Sequence, residues 1–115
     1  MDSKTAIDVL GALAQPTRLS AFRLLVEHAP DGLPAGEVAR RLAVPQNTLS
    51  AHLAVLAAAK LVAATRDGRS IVYRAELGTL RALTLYLLKD CCRGRAEVCA
   101  PVVADLLPCC PTSER

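Results

Sequence analysis

The sequence predicts a small, mostly helical α+β domain with about five helices and one two-stranded β-hairpin. Two observations support this fold class. Over most of the chain, apolar residues recur at intervals of three and four, as they do on one face of an α-helix. The exception is residues 61–74, where two β-prone runs flank Asp67-Gly68, a dipeptide typical of tight hairpin turns.

Composition limits the classes of protein to which the chain can belong. With 115 residues, of which 52% are hydrophobic and 22% charged, it suits one globular domain. A chain this small leaves apolar surface uncovered, so we expect an oligomer. No apolar run reaches the roughly 18 residues that a membrane span requires, so we expect no membrane partner. The net charge of +3 and the aromatic content of only 3% fit duplex DNA better than single strands, whose bases stack on aromatic side chains.

The first two helices are predicted from their caps and apolar rows. Ser3 is placed to cap a helix over residues 3–13, and Gln15-Pro16 begins a second helix that runs to Pro30. The first helix carries the apolar row Ile7, Leu10 and Leu13. On the second helix the residues predicted to face the core are Leu19, Phe22, Leu25 and Val26. Because the row of the first helix has no evident core of its own, we expect it to pack against a partner subunit.

The next two helices are predicted to form a helix-turn-helix. The first covers residues 33–42, with Val38, Ala39 and Leu42 inward, and Ala43-Val44-Pro45 breaks the chain before the second at 45–60. In a helix-turn-helix the first helix braces the second, which reads DNA. A helical hairpin with no role in DNA binding would give the same turn.

The helix at 45–60 has two contrasting faces. Leu49, Leu53 and Leu56 share one face. The opposite face carries Asn47, Ala51, Ala54 and Ala58, with Gln46 and Ser50 at its N-terminal shoulder, and the helix has no acidic residue. Small and amide side chains suit insertion into the major groove, where Gln or Asn pairs bidentately with adenine. A partly buried helix in an alanine-rich bundle is the alternative.

The hairpin that follows is basic at its tip, where Arg66 and Arg69 flank the predicted turn. A basic hairpin directly after a reading helix forms a wing that reaches phosphate or the minor groove. Solvated hairpin tips often carry arginine too, so the order of the elements is what favours a winged helix-turn-helix.

The last predicted helix, residues 77–90, is apolar around much of its circumference. Its apolar and small side chains are Leu77, Leu80, Leu83, Thr84, Leu85, Leu87 and Leu88. We expect this surface to form a homodimer seam with the first helix, so that two reading helices lie about 34 Å apart in successive major grooves.

These segments resemble the ArsR/SmtB family of metal-responsive bacterial repressors. The resemblance covers nearly all of residues 6–92 and rests on LAQPTRLSAFRLL, TLSAHLAVLAAAKLV and RDGRSIVYRA. It implies that residues 1–92 form a winged-helix homodimer for DNA binding and dimerisation, which binds double-stranded palindromic operator DNA and releases it on binding a metal or metalloid. The residues expected at the DNA are Gln46, Asn47, Thr48, Ser50, Ala51, His52, Arg66 and Arg69. Of these, Ala51 would contact a thymine methyl, and His52 would pack at the helix shoulder or touch a phosphate.

The two sensor sites usual in that family lack their ligands in this sequence. The helix before the turn has no cysteine, and the last helix has Asp90 but no histidine. A subgroup with a Cys-Cys pair at the end of the last helix and a third cysteine downstream provides the remaining resemblance. It implies that Cys91, Cys92 and Cys99 bind As(III) as the inducer.

The chemistry of the cysteines agrees with a thiophilic ligand. All five lie near the carboxyl end, in an odd number and with no secretory segment opening the chain, so we expect reduced thiols in the cytoplasm. Soft thiolates select soft ions. In the Cys/Pro-rich tail, residues 93–115, Cys109 and Cys110 are possible further ligands.

Several alternatives share this DNA-binding frame. The ligand could be methylarsenite, for which Cys91 and Cys92 alone would suffice, or Sb(III), or Zn or Cd held by four thiolates. Oxidation of Cys91 and Cys92 could also replace a ligand altogether. The cysteines could also be small buried hydrophobes. The sequence has no phosphate-cradling glycine-rich loop, CxxC motif or βαβ pattern. We therefore expect no organic cofactor and no enzyme such as an arsenate reductase or thiol oxidoreductase.

Overall fold

The computed structural model describes residues 1–88 and positions 101 and 105, and residues 1–88 form five helices and a three-stranded antiparallel sheet. The helices are α1 (Ser3–Leu13), α2 (Pro16–Glu27), α3 (Ala35–Leu42), α4 (Gln46–Ala58) and α5 (Leu77–Leu88). The strands are β1 (Leu33–Pro34), β2 (Val62–Asp67) and β3 (Ser70–Ala75), in the order β1-β3-β2. The predicted winged helix-turn-helix architecture is therefore present, with one strand more than expected.

The core lies where α2, α3 and α4 meet the sheet. Leu49, Leu53 and Leu56 of α4 are completely buried, as their spacing predicted. The other large side chains with no exposed surface are Leu25, Leu61, Val9 and Val38. Because α4 contributes three of these apolar anchors from one face, its opposite face is fixed toward solvent.

The start of the chain differs from its prediction in the residue that caps α1. Asp2, and not Ser3, caps α1, since its carboxylate accepts the Thr5 backbone N–H at 2.8 Å. Ile7 is 64% and Leu10 42% exposed, so most of the apolar row that we expected to pack against a partner subunit lies outside the core of this chain. The side chains that α1 buries instead are Ala6, Val9 and Ala12. Small side chains on that face let α1 approach α2 and α4 closely.

Helix α2 begins as predicted, with Pro16 in its first turn and Gln15 at its N-cap. The side chain of Gln15 accepts the Arg18 backbone N–H at 2.8 Å. Phe22 and Leu25 are buried as predicted, whereas Leu19 is exposed.

The first strand is absent from the prediction, which extended a helix back to residue 33. Leu33 and Pro34 instead pair with Tyr73 and Val72 of β3, and α3 begins only at Ala35. A proline disfavours helical backbone in the residue before it, so Leu33 is extended. Gly32, with φ +79°, brings the chain into this pairing.

The hairpin turn lies one residue later than predicted. Asp67 pairs with Ser70, so the two loop residues are Gly68 and Arg69. Gly68 has φ +65°, and glycine at the first loop position is the type II′ preference. The prediction placed the glycine second, where a type I′ turn would also accept it.

Helix α5 buries only part of its apolar surface within this chain. Leu83 is buried and Leu80 half-buried, whereas Leu85 and Leu87 are 59% and 53% exposed. Positions 89 and 90, which the prediction included in this helix, lie outside the described residues. Among the described helices, none is both long and apolar enough to cross a membrane.

Candidate DNA-binding surface

The exposed face of α4 is the first component of this surface. All the residues predicted to face outward on this helix are exposed, and so is Thr48. The predicted residues are Gln46, Asn47, Ser50, Ala51, Ala54 and Ala58. With the leucines of the other face fully buried, α4 cannot rotate this face inward without exposing its core residues. A helix face with no acidic group and mostly small side chains can approach a polyanion closely.

Both helices of the helix-turn-helix begin without a capping side chain. Their N-cap residues are Pro34 and Pro45, neither of which makes a side-chain hydrogen bond, in contrast to Asp2 and Gln15 on α1 and α2. Proline has no side-chain acceptor for the first amide N–H groups of a helix. The first turn of α4 contains no acidic side chain, so the positive end of its dipole favours a nearby anion, whereas Glu37 lies in the first turn of α3 and offsets the dipole there.

A cleft of about 310 Å³ separates the start of α4 from the hairpin. Three of the predicted DNA-contacting residues, Gln46, Ser50 and Arg69, line it together. The rest of the lining is Pro34, Ala35, Gly36, Ser70, Ile71 and Tyr73. Asn47 and Ala51, by contrast, are exposed on α4 and are not part of the cleft lining. The start of α4 and the hairpin therefore face each other across one cleft, which residues of both line.

The arginines of the hairpin differ in their exposure and in their contacts within the protein. Arg66 and Arg69 are exposed, and neither makes a salt bridge within residues 1–88. Arg74 is half-buried, and its Nη1 donates to Thr65 Oγ1 at 2.6 Å. The two arginines at the tip are therefore the ones available to an external phosphate.

The charge of α3 is partly neutralised within the helix. Glu37 accepts hydrogen bonds from Arg40 and, at 2.7 Å, from Nε of Arg41. These bonds, that from Arg40 first, lower the pKa of Glu37 from its ordinary 4.5 to about 2. The carboxylate is therefore ionised at neutral pH and offsets one of the two arginine charges, so α3 keeps a net positive charge.

His52 is half-buried and bonded within the protein. Nη1 of Arg18 lies 3.3 Å from Nδ1 of His52. Contact of His52 with DNA stays a prediction, and only its Nε2 would be open for it. Arg18 has no role predicted from the sequence, although it lies in the LAQPTRL segment that carries the family resemblance.

The predicted thiolate ligands all fall outside the described residues. This applies to Cys91, Cys92 and Cys99, and equally to Cys109 and Cys110. Within residues 1–88 and positions 101 and 105, no three His, Asp or Glu side chains group into a metal site. The As(III) site therefore stays a prediction.

Comparison with known proteins identifies the family. A family model described as a helix-turn-helix domain matches residues 1–64, more than half of the chain. An ArsR-like transcriptional regulator from Rhodococcus sp. RHA1 is 27% identical, covers 96% of each chain and superposes with a TM-score of 0.65. The chain belongs to the ArsR family of DNA-binding transcriptional regulators. Membership of the ArsR family confirms the prediction that the chain is a DNA-binding transcriptional regulator. The relatives that it matches are regulators and not enzymes.

Two further comparisons bear on the length of the chain and on its fold. The nodulation protein NolR of Rhizobium meliloti is 35% identical over 75 residues, which are 65% of this chain and 59% of that protein. The chain thus spans less than two thirds of that relative. The homodimeric winged helix-turn-helix DNA-binding domain Mb0332 of Mycobacterium bovis is 24% identical and covers 97% of this chain and 89% of its own, with a TM-score of 0.63. This likeness confirms the predicted winged fold.

Proposed function

We propose that this ArsR-family regulator is a homodimeric cytoplasmic repressor that binds palindromic operator DNA through α4 and the β2–β3 hairpin. In this proposal, trivalent arsenic bound by Cys91, Cys92 and Cys99 releases the DNA. The observation that carries the DNA-binding part is the orientation of α4, whose leucine face is fully buried and whose acid-free face is exposed.

The side chains on the exposed face of α4 suit direct reading of bases. Gln46 and Asn47 lie in its first turn, where their amides can pair bidentately with adenine. The methyl of Ala51, one turn later, suits contact with a thymine methyl. Arg66 and Arg69, across the cleft, would hold the phosphate backbone and fix the register of α4.

Uncovered apolar side chains on two packed helices support the homodimer. Ile7 and Leu10 of α1 and Leu85 and Leu87 of α5 are all exposed, and α1 packs against α5. Large apolar surface of this kind marks interaction sites. A second copy related by two-fold symmetry would cover it and present two reading helices to a palindrome.

The donor set supports a soft ligand. Cys91, Cys92 and Cys99 supply three thiolates, which suit a pyramidal As(III) centre, and reduced thiols require a reducing compartment. Allosteric coupling of roughly 1–3 kcal/mol would weaken DNA binding about 5- to 150-fold.

The DNA-binding part is tested by selection from a random duplex library. The wild type is expected to enrich a palindrome. Gln46→Ala and Asn47→Ala should each lose about 1–3 kcal/mol of discrimination between the selected and a random duplex. Ser20→Ala, a truncation of an exposed side chain on α2, is the control and should change nothing. Enrichment of no duplex would refute this part of the proposal.

The ligand part is tested by titrating the reduced protein on its selected duplex. Arsenite is expected to release the DNA from the wild type and from Cys109→Ser and Cys110→Ser, but not from Cys91→Ser, Cys92→Ser or Cys99→Ser. Release by zinc but not by arsenite would show the assignment of As(III) to be wrong. Release by peroxide without any metalloid would identify a thiol oxidation sensor instead.

A further inference from the structure

One side chain connects three helices of the domain. The guanidinium of Arg18, in the first turn of α2, donates from Nε to the Ala12 carbonyl oxygen at 2.6 Å and from Nη2 to that of Gly11 at 3.5 Å. Its Nη1 donates to Nδ1 of His52 at 3.3 Å. Arg18 therefore contacts the end of α1 and the middle of α4 at the same time.

The α1 end of this link is electrostatically favourable. The last carbonyl groups of a helix lack intrahelical partners and carry the negative end of its dipole. The permanently charged guanidinium of Arg18 is a suitable donor for them. The backbone of Arg18 is itself anchored, because its N–H donates to the side chain of Gln15. The side chain thus begins from a fixed point and reaches three acceptors, two on α1 and one on α4.

At the α4 end, the hydrogen bond to His52 restrains the orientation of α4, which apolar packing alone does not restrain. Because a guanidinium only donates, Nδ1 of His52 must accept, which places the proton of the neutral ring on Nε2. Apolar burial of the neighbouring Leu53 has no preferred direction, whereas this hydrogen bond has one. His52 directly follows Ala51, at the end of the segment that we propose reads bases.

We propose that Arg18 is a positioning residue for DNA recognition, which fixes the reading segment of α4 relative to the end of α1 through His52. The inference rests on the proposed function, in which α1 belongs to the dimer seam and α4 reads the operator. A displacement of α1 at the seam would then reach the bases through a single side chain.

The first experiment needs no DNA. Amide hydrogen exchange of residues 46–52 is measured in the free protein, full length and reduced. Arg18→Gln and His52→Leu are expected to accelerate this exchange about two- to tenfold, which corresponds to one lost hydrogen bond. His52→Asn retains an acceptor oxygen near the position of Nδ1 and should exchange like the wild type. Arg23→Gln, which removes an exposed arginine from the same helix, should do the same.

The second experiment measures affinity for the selected duplex and for a random duplex. Arg18→Gln and His52→Leu should each lower the ratio of the two affinities about five- to tenfold, with little change on random DNA. His52→Asn should restore the ratio. The double variant should lose no more than either single variant, because both remove the same link.

Three outcomes would overturn the inference. One is unchanged exchange in both Arg18→Gln and His52→Leu. Another is that Arg18→Gln weakens binding to both duplexes equally and lowers the slope of log affinity against log salt by about 0.9. That result would identify Arg18 as a phosphate contact. The third is additive losses in the double variant, which would make the two residues independent. If the wild type selects no duplex, the proposed function fails, and the exchange experiment still decides the link.

Discussion

Replacing Gly32 or Gly68 by alanine lowers the stability of the domain for different reasons. At Gly68 the cost is backbone strain alone, whereas at Gly32 a clash with neighbouring atoms is added to that strain. Both glycines have positive φ, +79° and +65°. A side chain in this conformation costs roughly 1–2 kcal/mol by itself. At Gly68, a Cβ would meet nothing within 4 Å, so Gly68→Ala should cost only that amount. At Gly32, it would overlap the carbonyl oxygen of Tyr73 and lie 2.8 Å from Cγ of Arg74.

The backbone of Tyr73 cannot yield at Gly32 without a larger loss. Tyr73 belongs to β3, the middle strand, and is the partner of Leu33 in the β1–β3 pairing. Removing the clash requires β1 to leave β3, which adds lost hydrogen bonds to the strain. We therefore expect Gly32→Ala to lower the free energy of unfolding by about 3–5 kcal/mol, a large part of the stability of a small domain.

Urea unfolding of the two variants and the wild type measures this difference. All three are compared at the same protein concentration, since dimerisation would make the midpoint concentration-dependent. The midpoint should fall at least twice as far for Gly32→Ala as for Gly68→Ala, and failure of Gly32→Ala alone to fold is the extreme form of this result. Equal midpoints for the two variants would refute the reasoning from the Tyr73 contact.

Three other predictions concern charge and assembly. Arg69→Gln should lower the slope of log DNA affinity against log salt by about 0.9, whereas Arg74→Gln, which removes an arginine bonded to Thr65, should leave the slope unchanged. The reverse order would contradict the assignment of Arg69 to a phosphate contact. Leu85→Glu should convert a dimer to a monomer in analytical ultracentrifugation, and a dimer that persists would place the seam elsewhere. Glu37→Gln should lower the melting temperature above about pH 4.5, and the difference from wild type should vanish as the pH falls toward about 2, because the folded-state pKa of Glu37 lies below its ordinary value. A difference that grows on acidification would have the wrong sign.

The orientation of α4 could be predicted because its apolar residues differ sharply in size from the rest. Leu49, Leu53 and Leu56 are large, and the other residues of the helix except Val55 are small or polar, so only one side can form the core. On α1 two apolar rows compete. The pattern showed the larger row with Ile7 and Leu10, which we expected at a partner subunit, but did not show the row with Ala6 that the domain buries, because close helix packing selects small side chains.

Other features leave little trace in the sequence. A two-residue strand such as β1 has too few residues to show alternation, and its pairing depends on a partner some forty positions away, as the register of Leu33 with Tyr73 shows. The bond between Arg18 and His52 likewise joins positions 34 apart. Such contacts depend on tertiary structure, which local periodicity does not encode.

The brevity of β1 has a consequence for how the sheet behaves among many copies of the protein. An outer strand normally offers a row of backbone groups on which a foreign strand can polymerise. Here that row is two residues long, and Pro34, its second member, has no N–H to offer. The sheet is therefore poorly suited to recruit a neighbouring chain along this border, which protects against aggregation without adding any charge there.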